Sequence, residues 1–334
     1  MSYRPQSAYF LRSDALEKIY SKSEQARIGE LTQVYPTQLT LDNWRDHRES
    51  LSQVEYLLSG WGMAVMDAEL LDALPNLKYV FYGAGSIREF YTDLAQEREI
   101  GISSAWRANA IPTAEFALAT IILSLKQFWR AQRKAKQDRK WQKPANAAGT
   151  YQSTVGIVSL GAIGRKVAQR LSQEHELNLL AYDPYVSVAD SSIDGLRMVS
   201  LEELMASSDV VSLHAPNLPE TRGLISQSLL QSMKPHATLI NTARGDLIDE
   251  PALVQLLKDR PEMDAVLDVT LNEYENQDSP LWDLPNAIIT PHIAGSINGE
   301  CRRMGALMVD ELERYLSGLP LKHNVSSQTL ARMA

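Results

Sequence analysis

The sequence predicts an α/β protein in which helices pack on parallel β-sheets. Short apolar runs alternate with amphipathic stretches along almost the whole chain, a pattern typical of repeated strand–helix units. A glycine-rich turn near residue 160 joins one apolar run to the amphipathic stretch after it. Most of the polar residues able to do chemistry follow predicted strands, where ligands bind in open α/β sheets. A length of 334 residues allows two ordinary domains or one large α/β domain.

The composition is that of a globular protein and excludes several classes. With 44% hydrophobic and 22% charged residues, the chain is neither disordered nor collagen-like. A net charge of −8 disfavours nucleic acid as a partner, because no positive field would release its counterions. The one cysteine, Cys301, makes neither an internal disulfide nor a thiolate metal site. We therefore expect no metal and a reducing, cytoplasmic location.

Neither a targeting segment nor a membrane span is expected. The first residues, MSYRPQSAYFLRSD, lack the apolar core of a signal peptide. No apolar run approaches the ~18 residues that a membrane span needs. The sequence therefore predicts no membrane partner.

The first part of the chain predicts strands at residues 8–11, 55–58, 79–82 and 100–103, with a helix at 67–74. A longer helix is predicted at 112–125, with Pro112 at its first position. That helix is apolar on nearly every face, so we expect it to be buried between domains or subunits.

A basic segment follows at 130–140, with six basic residues and one acid (RAQRKAKQDRK). It suggests either an anion-binding arm or a solvated helix face. The solvated face is favoured, because aromatic residues are absent from the segment and the whole chain is acidic.

A second strand–helix series predicts strands at 155–159, 177–182, 210–214, 238–241, 265–268 and 287–290. A last helix at 298–317 comes after this series, so it is free to return and pack on the first domain.

The glycine-rich turn lies in the stretch TVGIVSLGAIGRKVAQRL, which runs from 154 to 171. Dinucleotide-binding turns have the pattern G-x-G-x-x-G, and here Ser159, Gly161 and Gly164 occupy its three glycine positions. Gly161 permits close approach of a pyrophosphate, and Gly164 lets the helix pack on the strand. The amides of Ala162 and Ile163 then lie at a helix N-terminus, which attracts anions. With serine in first position, either the turn has a negative φ at Ser159 or the loop is reshaped.

An acid ends the next predicted strand, in LLAYD. Asp183 lies 22 residues after Gly161, near the spacing of the carboxylate that binds a ribose in NAD sites. The same carboxylate would repel a 2′-phosphate, and no arginine follows it, so NAD is preferred over NADP. The alternative is that Asp183 only caps a turn at the strand end.

Three further residues that suggest catalysis follow later strands. Arg244 lies in NTARGD, Glu273 in LDVTLNE and His292 in TPHIAGS. An arginine holds a carboxylate in bidentate geometry, and a histidine–carboxylate pair moves protons near neutral pH. Spacing alone does not establish that they converge. Arg244 on the surface could instead pair with Asp246 or Glu250, and a lone loop histidine is more often structural.

Over residues 50–318 the chain resembles the D-isomer-specific 2-hydroxyacid dehydrogenases. The resemblance rests on the glycine turn, on the segments at 213–225, 241–250 and 281–295, and on the stretch with Asp268 and Glu273. It implies a Rossmann NAD-binding domain at 106–297 inserted into a flavodoxin-like α/β substrate domain, formed by 1–105 and 298–334. It also places the site in a cleft between these domains and implies a homodimer.

The same resemblance implies a role for each site residue. His292 is similar to the general acid/base, Glu273 to its carboxylate partner and Arg244 to the substrate clamp. Asp183 matches the ribose ligand and Asp268 the contact to the nicotinamide carboxamide. The remaining implied cofactor contacts are Gly161, Ala162, Ile163, Gly164, Thr113, His214, Ala215, Pro216, Thr242, Ala243 and Gly295.

The implied substrate loop is Gly83, Ala84 and Gly85, whose amides match those that bind the substrate carboxylate. The residues after this loop, 86–90 (SIREF), depart from the family pattern, which puts substrate identity in doubt. The loop at 59–62 (SGWG) has an aromatic and glycines where enzymes for phosphorylated acids commonly have a cation, and Arg88 is the nearby candidate. We therefore expect a small unphosphorylated 2-oxoacid.

The implied activity is NAD(H)-dependent reduction of a 2-oxoacid to the D-2-hydroxyacid, or the reverse oxidation. An NADH-sensing binding protein on the same fold, similar to the corepressors related to this family, is the alternative. Formate or phosphite oxidation is a third possibility, although formate enzymes generally have glutamine where Glu273 stands.

Overall fold

The computed structural model describes residues 3–187, 192–273 and 277–333. Contacts within the chain divide it into two compact units, the first formed by residues 1–109 and 296–334 and the second by 110–295. Each unit is built on one parallel β-sheet.

The sheet of the first unit has strands in the order β2-β1-β3-β4-β5. This is the flavodoxin-like order. The chain adds strands first on one side of β1 and then on the other, so the order of strands switches between β1 and β3. The five strands are β1 (Gln6–Phe10), β2 (Gln33–Val34), β3 (Val54–Ser59), β4 (Tyr79–Tyr82) and β5 (Gly101–Ser104).

The sheet of the second unit has the order β12-β11-β10-β9-β6-β7-β8. This is the doubly wound order of dinucleotide-binding domains, extended by one strand. The chain adds strands first on one side of β6 and then on the other, so the order of strands switches between β6 and β9. The loops after these two strands flank the expected binding crevice. The strands are β6 (Tyr151–Val158), β7 (Glu176–Tyr182), β8 (Leu196–Met198), β9 (Val210–Leu213), β10 (Thr238–Asn241), β11 (Asp264–Leu267) and β12 (Ala287–Ile289).

Helices connect the strands in both units. In the first they are α1 (Leu16–Ile19), α2 (Lys22–Leu31), α3 (Trp44–His47), α4 (Ala68–Ala73) and α5 (Asp93–Glu97), followed by α6 (Trp106–Leu125), along which the chain passes into the second unit. The second unit continues with α7 (Phe128–Asp138), α8 (Ala162–Glu174), α9 (Leu201–Ser207), α10 (Gln227–Ser232) and α11 (Glu250–Asp259). The chain ends in the first unit with α12 (Cys301–Leu316) and α13 (Ser327–Arg332).

The central strands are buried because helices cover both sheet faces. All residues of β3, β4, β9, β10 and β11 are buried, which explains why these segments are mostly apolar and do not alternate between apolar and polar residues. The strands predicted from such runs are all present. The strands that sequence analysis missed, β2 and β8, are two and three residues long at sheet edges, where little apolar surface is buried.

Helix α6 differs from its prediction at the N-terminus. It begins at Trp106, directly after β5, where the Ser104 hydroxyl accepts a hydrogen bond from the Trp106 amide at 3.3 Å. Pro112 therefore lies inside the helix and not at its first position, at the cost of one backbone hydrogen bond. The cap came from a serine in the preceding strand, so the proline was the wrong start signal.

Helix α6 is also long and apolar enough to cross a membrane by length and composition, contrary to the expectation from apolar runs. In the structure 61% of its most apolar window is buried within the protein. Ala117, Ile121 and Leu125 belong to the apolar core of the second unit. A buried core helix of a soluble protein passes the same test, so this helix is weak support for membrane insertion.

Candidate active site

The glycine turn of the second unit connects β6 to α8. Helix α8 begins at Ala162, with Gly161 as its N-cap, so the amides of Ala162 and Ile163 lie in its first turn, as the pattern predicts. A Cβ added to Gly164 would stand 2.0 Å from the carbonyl oxygen of Ser159, so the helix packs directly on the strand end. A Cβ on Gly161 would meet nothing within 4 Å among the residues that the structure describes. The open space at Gly161 is the cradle that a pyrophosphate needs.

Ser159 occupies the first glycine position with a φ of +77°. The turn therefore keeps the left-handed backbone that glycine normally provides, and the alternative of a negative φ is wrong. The Ser159 Oγ donates a hydrogen bond to Oδ2 of Asp183 at 3.2 Å.

Asp183 is half-buried directly after β7, and its carboxylate accepts two backbone amides as well. Leu160 N donates to Oδ2 and Tyr185 N donates to Oδ1, both at 2.8 Å. The turn-capping role that the sequence left open is therefore present. A ribose role for Asp183 remains a prediction.

Two buried side chains predicted to contact the cofactor have polar atoms without a partner in the described part of the chain. They are Nδ1 of His214 and Oγ1 of Thr242. Burial lowers the pKa of His214 to about 4, so its ring is neutral at physiological pH, and Nε2 contacts the Ser212 hydroxyl at 3.0 Å. Buried polar groups rarely stay unsatisfied, which fits a bound cofactor that supplies the missing hydrogen bonds.

The other predicted cofactor contacts lie in the same unit. Ala215 and Pro216 follow β9, Ala243 follows β10, and Thr113 is buried in α6. Gly295 is half-buried in the loop after His292.

The loop with Arg244 is shaped by the side chain of Asn241, the last residue of β10. The Asn241 Oδ1 accepts the amide of Ala243 at 3.0 Å, and its Nδ2 donates to the carbonyl of Arg244 at 2.8 Å. Among the described residues Arg244 pairs with neither Asp246 nor Glu250, so the surface-pairing alternative is wrong. Its guanidinium is half-buried and bonds the carbonyl of Ala243.

Glu273 and His292 form a hydrogen-bonded pair, with Oε2 of Glu273 at 2.8 Å from Nδ1 of His292. This contact raises the pKa of His292 above its ordinary value, while the nearby charge of Arg244 opposes the rise. Two of the three residues that follow separate strands therefore touch, and the charge of Arg244 is near enough to act on the pKa of His292. The Nε2 atom of His292 is the nitrogen that Glu273 does not use.

Asp268 holds the loop that positions His292. Its carboxylate accepts the Thr290 hydroxyl at 2.6 Å and the amides of Ile293 and Ala294 at 2.9 and 2.8 Å. His292 itself has a φ of +53°, an uncommon conformation for a side chain, which these bonds maintain. The implied carboxamide contact of Asp268 stays a prediction, and its observed role is to brace this loop.

Two residues that support the pair were not singled out by sequence reasoning for this role. Glu250 accepts the Leu271 amide at 2.9 Å and the Ser279 hydroxyl at 3.1 Å, so it ties together both flanks of the segment with Glu273. A Cβ on Gly245 would stand 2.1 Å from the backbone of Thr270. Both residues lie in the segment NTARGDLIDE, but no local sequence pattern shows which loop Gly245 and Glu250 contact.

In the first unit, the predicted substrate loop follows β4. The Gly83 amide donates to the Ser59 carbonyl at 2.8 Å, so it continues the sheet, and the amides that follow are those of Ala84 and Gly85. The Ser104 hydroxyl bonds the carbonyls of Ala84 and Gly85 at 3.0 and 2.6 Å. The Ser104 side chain thus holds the loop in place. Because the Gly83 amide is already used in the sheet, its implied role as an amide donor to the substrate carboxylate is corrected.

Arg88 serves a structural contact in the first unit. Its guanidinium donates to the carbonyls of Met333, Leu330 and Ala331 at 2.7 to 2.8 Å. It therefore caps the C-terminal helix α13 and is not a free phosphate ligand. A second cation, Arg12, lies beside the glycine loop after β3, where its amide bonds the Trp61 carbonyl at 2.8 Å, so Arg88 was not the only candidate.

Most of the basic segment lies in helix α7, and two arginines of this helix contact other parts of the second unit. Arg133 pairs with the buried carboxylate of Asp264, and Arg130 lies 3.4 Å from Nδ1 of His236. Lys134 pairs with Asp138 on the exposed face. The prediction of a solvated face therefore holds for only part of this helix.

A doubly wound sheet with a glycine turn at its reversal point, together with the Arg–Glu–His group, defines a dinucleotide-binding domain of the Rossmann type. The chain belongs to the D-isomer specific 2-hydroxyacid dehydrogenase family, because residues 118–294 match the sequence model of the NAD binding domain of that family. This confirms the resemblance, the fold class and NAD as the cofactor.

Named relatives agree with this family. The D-3-phosphoglycerate dehydrogenase of Archaeoglobus fulgidus is 33% identical over 261 residues, which are 78% of this chain and 49% of that protein. The chain thus spans about half the length of that relative. The (S)-sulfolactate dehydrogenase of Chromohalobacter salexigens is 32% identical over 75% of this chain and 81% of its own.

A glyoxylate reductase from Paecilomyes thermophila has a similar solved structure. Its TM-score is 0.78 at 25% identity, with 98% of this chain and 100% of that chain covered.

Proposed function

We propose that the protein is an NAD(H)-dependent dehydrogenase that reduces a small 2-oxoacid to the D-2-hydroxyacid, or catalyses the reverse oxidation. The observation that supports this best is the 2.8 Å contact between Glu273 and Nδ1 of His292 with Arg244 nearby. In this proposal the second unit binds the cofactor and the first unit binds substrate through the loop after β4.

A nicotinamide cofactor bound by the second unit would supply the hydride chemistry at C2 of the substrate. His292 handles the proton: Glu273 accepts a hydrogen bond from Nδ1 and leaves Nε2 to exchange a proton with the C2 oxygen. In reduction the protonated imidazole donates, and in oxidation the neutral imidazole accepts. Arg244 binds the substrate carboxylate and carbonyl and stabilises the developing negative charge.

The cofactor is held in this proposal by groups with the corresponding chemistry. The amides of Ala162 and Ile163 bind the pyrophosphate at the cradle of Gly161, and Asp183 binds the adenosine ribose. Because a 2′-phosphate would meet the negative charge of Asp183, NADH is preferred over NADPH.

The substrate is a small unphosphorylated acid such as glyoxylate or hydroxypyruvate. Arg88 is committed to three backbone carbonyls, and the exposed Arg12 is paired with Asp14 at 2.6 Å. The names of the two relatives, D-3-phosphoglycerate dehydrogenase and (S)-sulfolactate dehydrogenase, give two alternative substrates to test. Their oxidised forms are 3-phosphohydroxypyruvate and sulfopyruvate.

A panel of these oxoacids assayed with NADH and NADPH tests the proposal. We expect the highest kcat/KM for an unphosphorylated acid with NADH. His292→Ala should lower kcat by about 10²–10⁴-fold while NADH binding stays intact. NADH binding with no turnover of any oxoacid would favour the alternative of an NADH-sensing protein.

The proposed assembly is a homodimer formed by the cofactor-binding unit. Large apolar side chains are exposed in and after α6, namely Leu123, Phe128, Trp141 and Tyr151. All four lie within one stretch of the chain, 123–151, and exposed apolar side chains that cluster on a surface are typical of a protein contact. Light scattering should show a dimer at micromolar concentration, and a monomer would contradict this assembly.

A further inference from the structure

Ser159 is held in a backbone conformation that disfavours every residue with a Cβ. Its φ is +77°, in the left-handed region that is unfavourable for an L-residue with a side chain. Its neighbours impose this conformation, because the Ser159 amide bonds the Tyr182 carbonyl at 2.7 Å and its carbonyl packs against Gly164. A glycine would satisfy the same backbone without strain, so the side chain must offset its cost elsewhere.

The Ser159 side chain contacts the carboxylate of Asp183. A carboxylate has about four acceptor positions. Within the described part of the chain three donors already use that of Asp183, namely the Ser159 hydroxyl and the amides of Leu160 and Tyr185. About one position remains, whereas the ribose presents two neighbouring hydroxyls. The Ser159 hydroxyl has one proton, which it donates to Asp183, and its oxygen keeps lone pairs that accept a hydrogen bond.

We propose that Ser159 is a second ribose ligand, so that one hydroxyl of the adenosine ribose donates to Asp183 and its neighbour donates to Oγ of Ser159. This inference rests on the proposed assignment of Asp183 to the ribose. In NADPH a phosphate takes the place of the 2′-hydroxyl. Its oxygens accept hydrogen bonds where the hydroxyl would donate one, and they would face the acceptor oxygens of Asp183 and Ser159. Ser159 thus adds to the preference for NADH over NADPH.

Two substitutions separate binding from strain. Ser159→Ala keeps the strain and loses the hydroxyl, whereas Ser159→Gly relieves the strain and loses the hydroxyl. We expect Ser159→Gly to raise the Tm of the cofactor-free protein, and we expect both variants to bind NADH about three- to tenfold more weakly in fluorescence titrations. Ser172→Ala, on α8, removes a hydroxyl that bonds the Gln169 carbonyl and should leave NADH affinity unchanged.

Ligands without one hydroxyl test the contact directly. ADP, 2′-deoxy-ADP and 3′-deoxy-ADP are used to displace NADH from the wild-type protein and from Ser159→Gly. We expect both deoxy ligands to bind the wild type more weakly than ADP, because one loses its bond to Asp183 and the other loses its bond to Ser159. The second penalty should be about three- to tenfold, and it alone should disappear in Ser159→Gly. Unchanged penalties, or NADH binding to Ser159→Gly as tight as to the wild type, would overturn the inference.

Asp183→Ala distinguishes this inference from the function on which it rests. Weaker NADH binding by Asp183→Ala together with unchanged binding by both Ser159 variants refutes only the role of Ser159. Unchanged NADH binding by Asp183→Ala refutes the ribose assignment itself, and the inference fails with it.

Discussion

Gly245→Ala should disable catalysis without touching any group that we assign to substrate or cofactor. A Cβ at Gly245 would stand 2.1 Å from the backbone C and O of Thr270 and 2.4 Å from the amide of Leu271, whereas real Cβ atoms essentially never approach closer than 3.0 Å. The Thr270 backbone must therefore retreat by about 0.9 Å, and backbone cannot rotate away as a flexible side chain does.

The displaced segment leads directly to Glu273. A retreat of about 0.9 Å passed on to Glu273 would lengthen its 2.8 Å contact with His292 beyond hydrogen-bond range. A misplacement of about 1 Å at a catalytic group lowers rate by roughly 10²-fold. Overpacking should also destabilise the protein by about 1–3 kcal/mol.

The assay is steady-state kcat/KM with the best oxoacid of the panel, together with NADH titration and Tm. We expect kcat/KM about 10²-fold lower and NADH affinity within twofold of wild type. Two glycines at which a Cβ meets nothing within 4 Å provide matched controls. Gly29→Ala, in α2, should change neither kcat/KM nor NADH affinity. Gly161→Ala should fold normally but lose NADH binding. A Gly245→Ala protein with wild-type kcat/KM would refute the packing argument.

Two more predictions concern charged pairs. Glu273→Gln removes the negative charge that helps to raise the pKa of His292, so the imidazolium should be lost at lower pH. The high-pH decline of reductive kcat/KM should therefore move to lower pH than in wild type. Identical pH profiles would contradict this pairing. Arg133→Ala removes the hydrogen-bonded partner of the Asp264 carboxylate, which is 4% exposed. With the charge of Arg130 still nearby, it should destabilise the second unit by about 1–3 kcal/mol in denaturant titrations. Lys134→Ala, which breaks an exposed pair on the same helix, should cost no more than about 0.5 kcal/mol.

The strand–turn–helix at the cofactor site could be predicted because its determinants are local. The apolar run of β6, the glycines at 161 and 164 and the amphipathic helix α8 lie within one stretch of chain. The start of α6 could not be predicted in this way, because its cap is the side chain of Ser104 in the preceding strand.

The sequence by itself determined the chemical groups and their order along the chain: a glycine turn, an acid after the second strand, and Arg244, Glu273 and His292 after later strands. Only the tertiary structure decided which of these touch, because the contact between Glu273 and His292 joins loops that follow different strands. The same holds for Arg88, which bonds carbonyls more than two hundred residues away. Parallel strands bring distant loops to one sheet edge, and side-chain packing there selects the partners, which sequence spacing cannot encode.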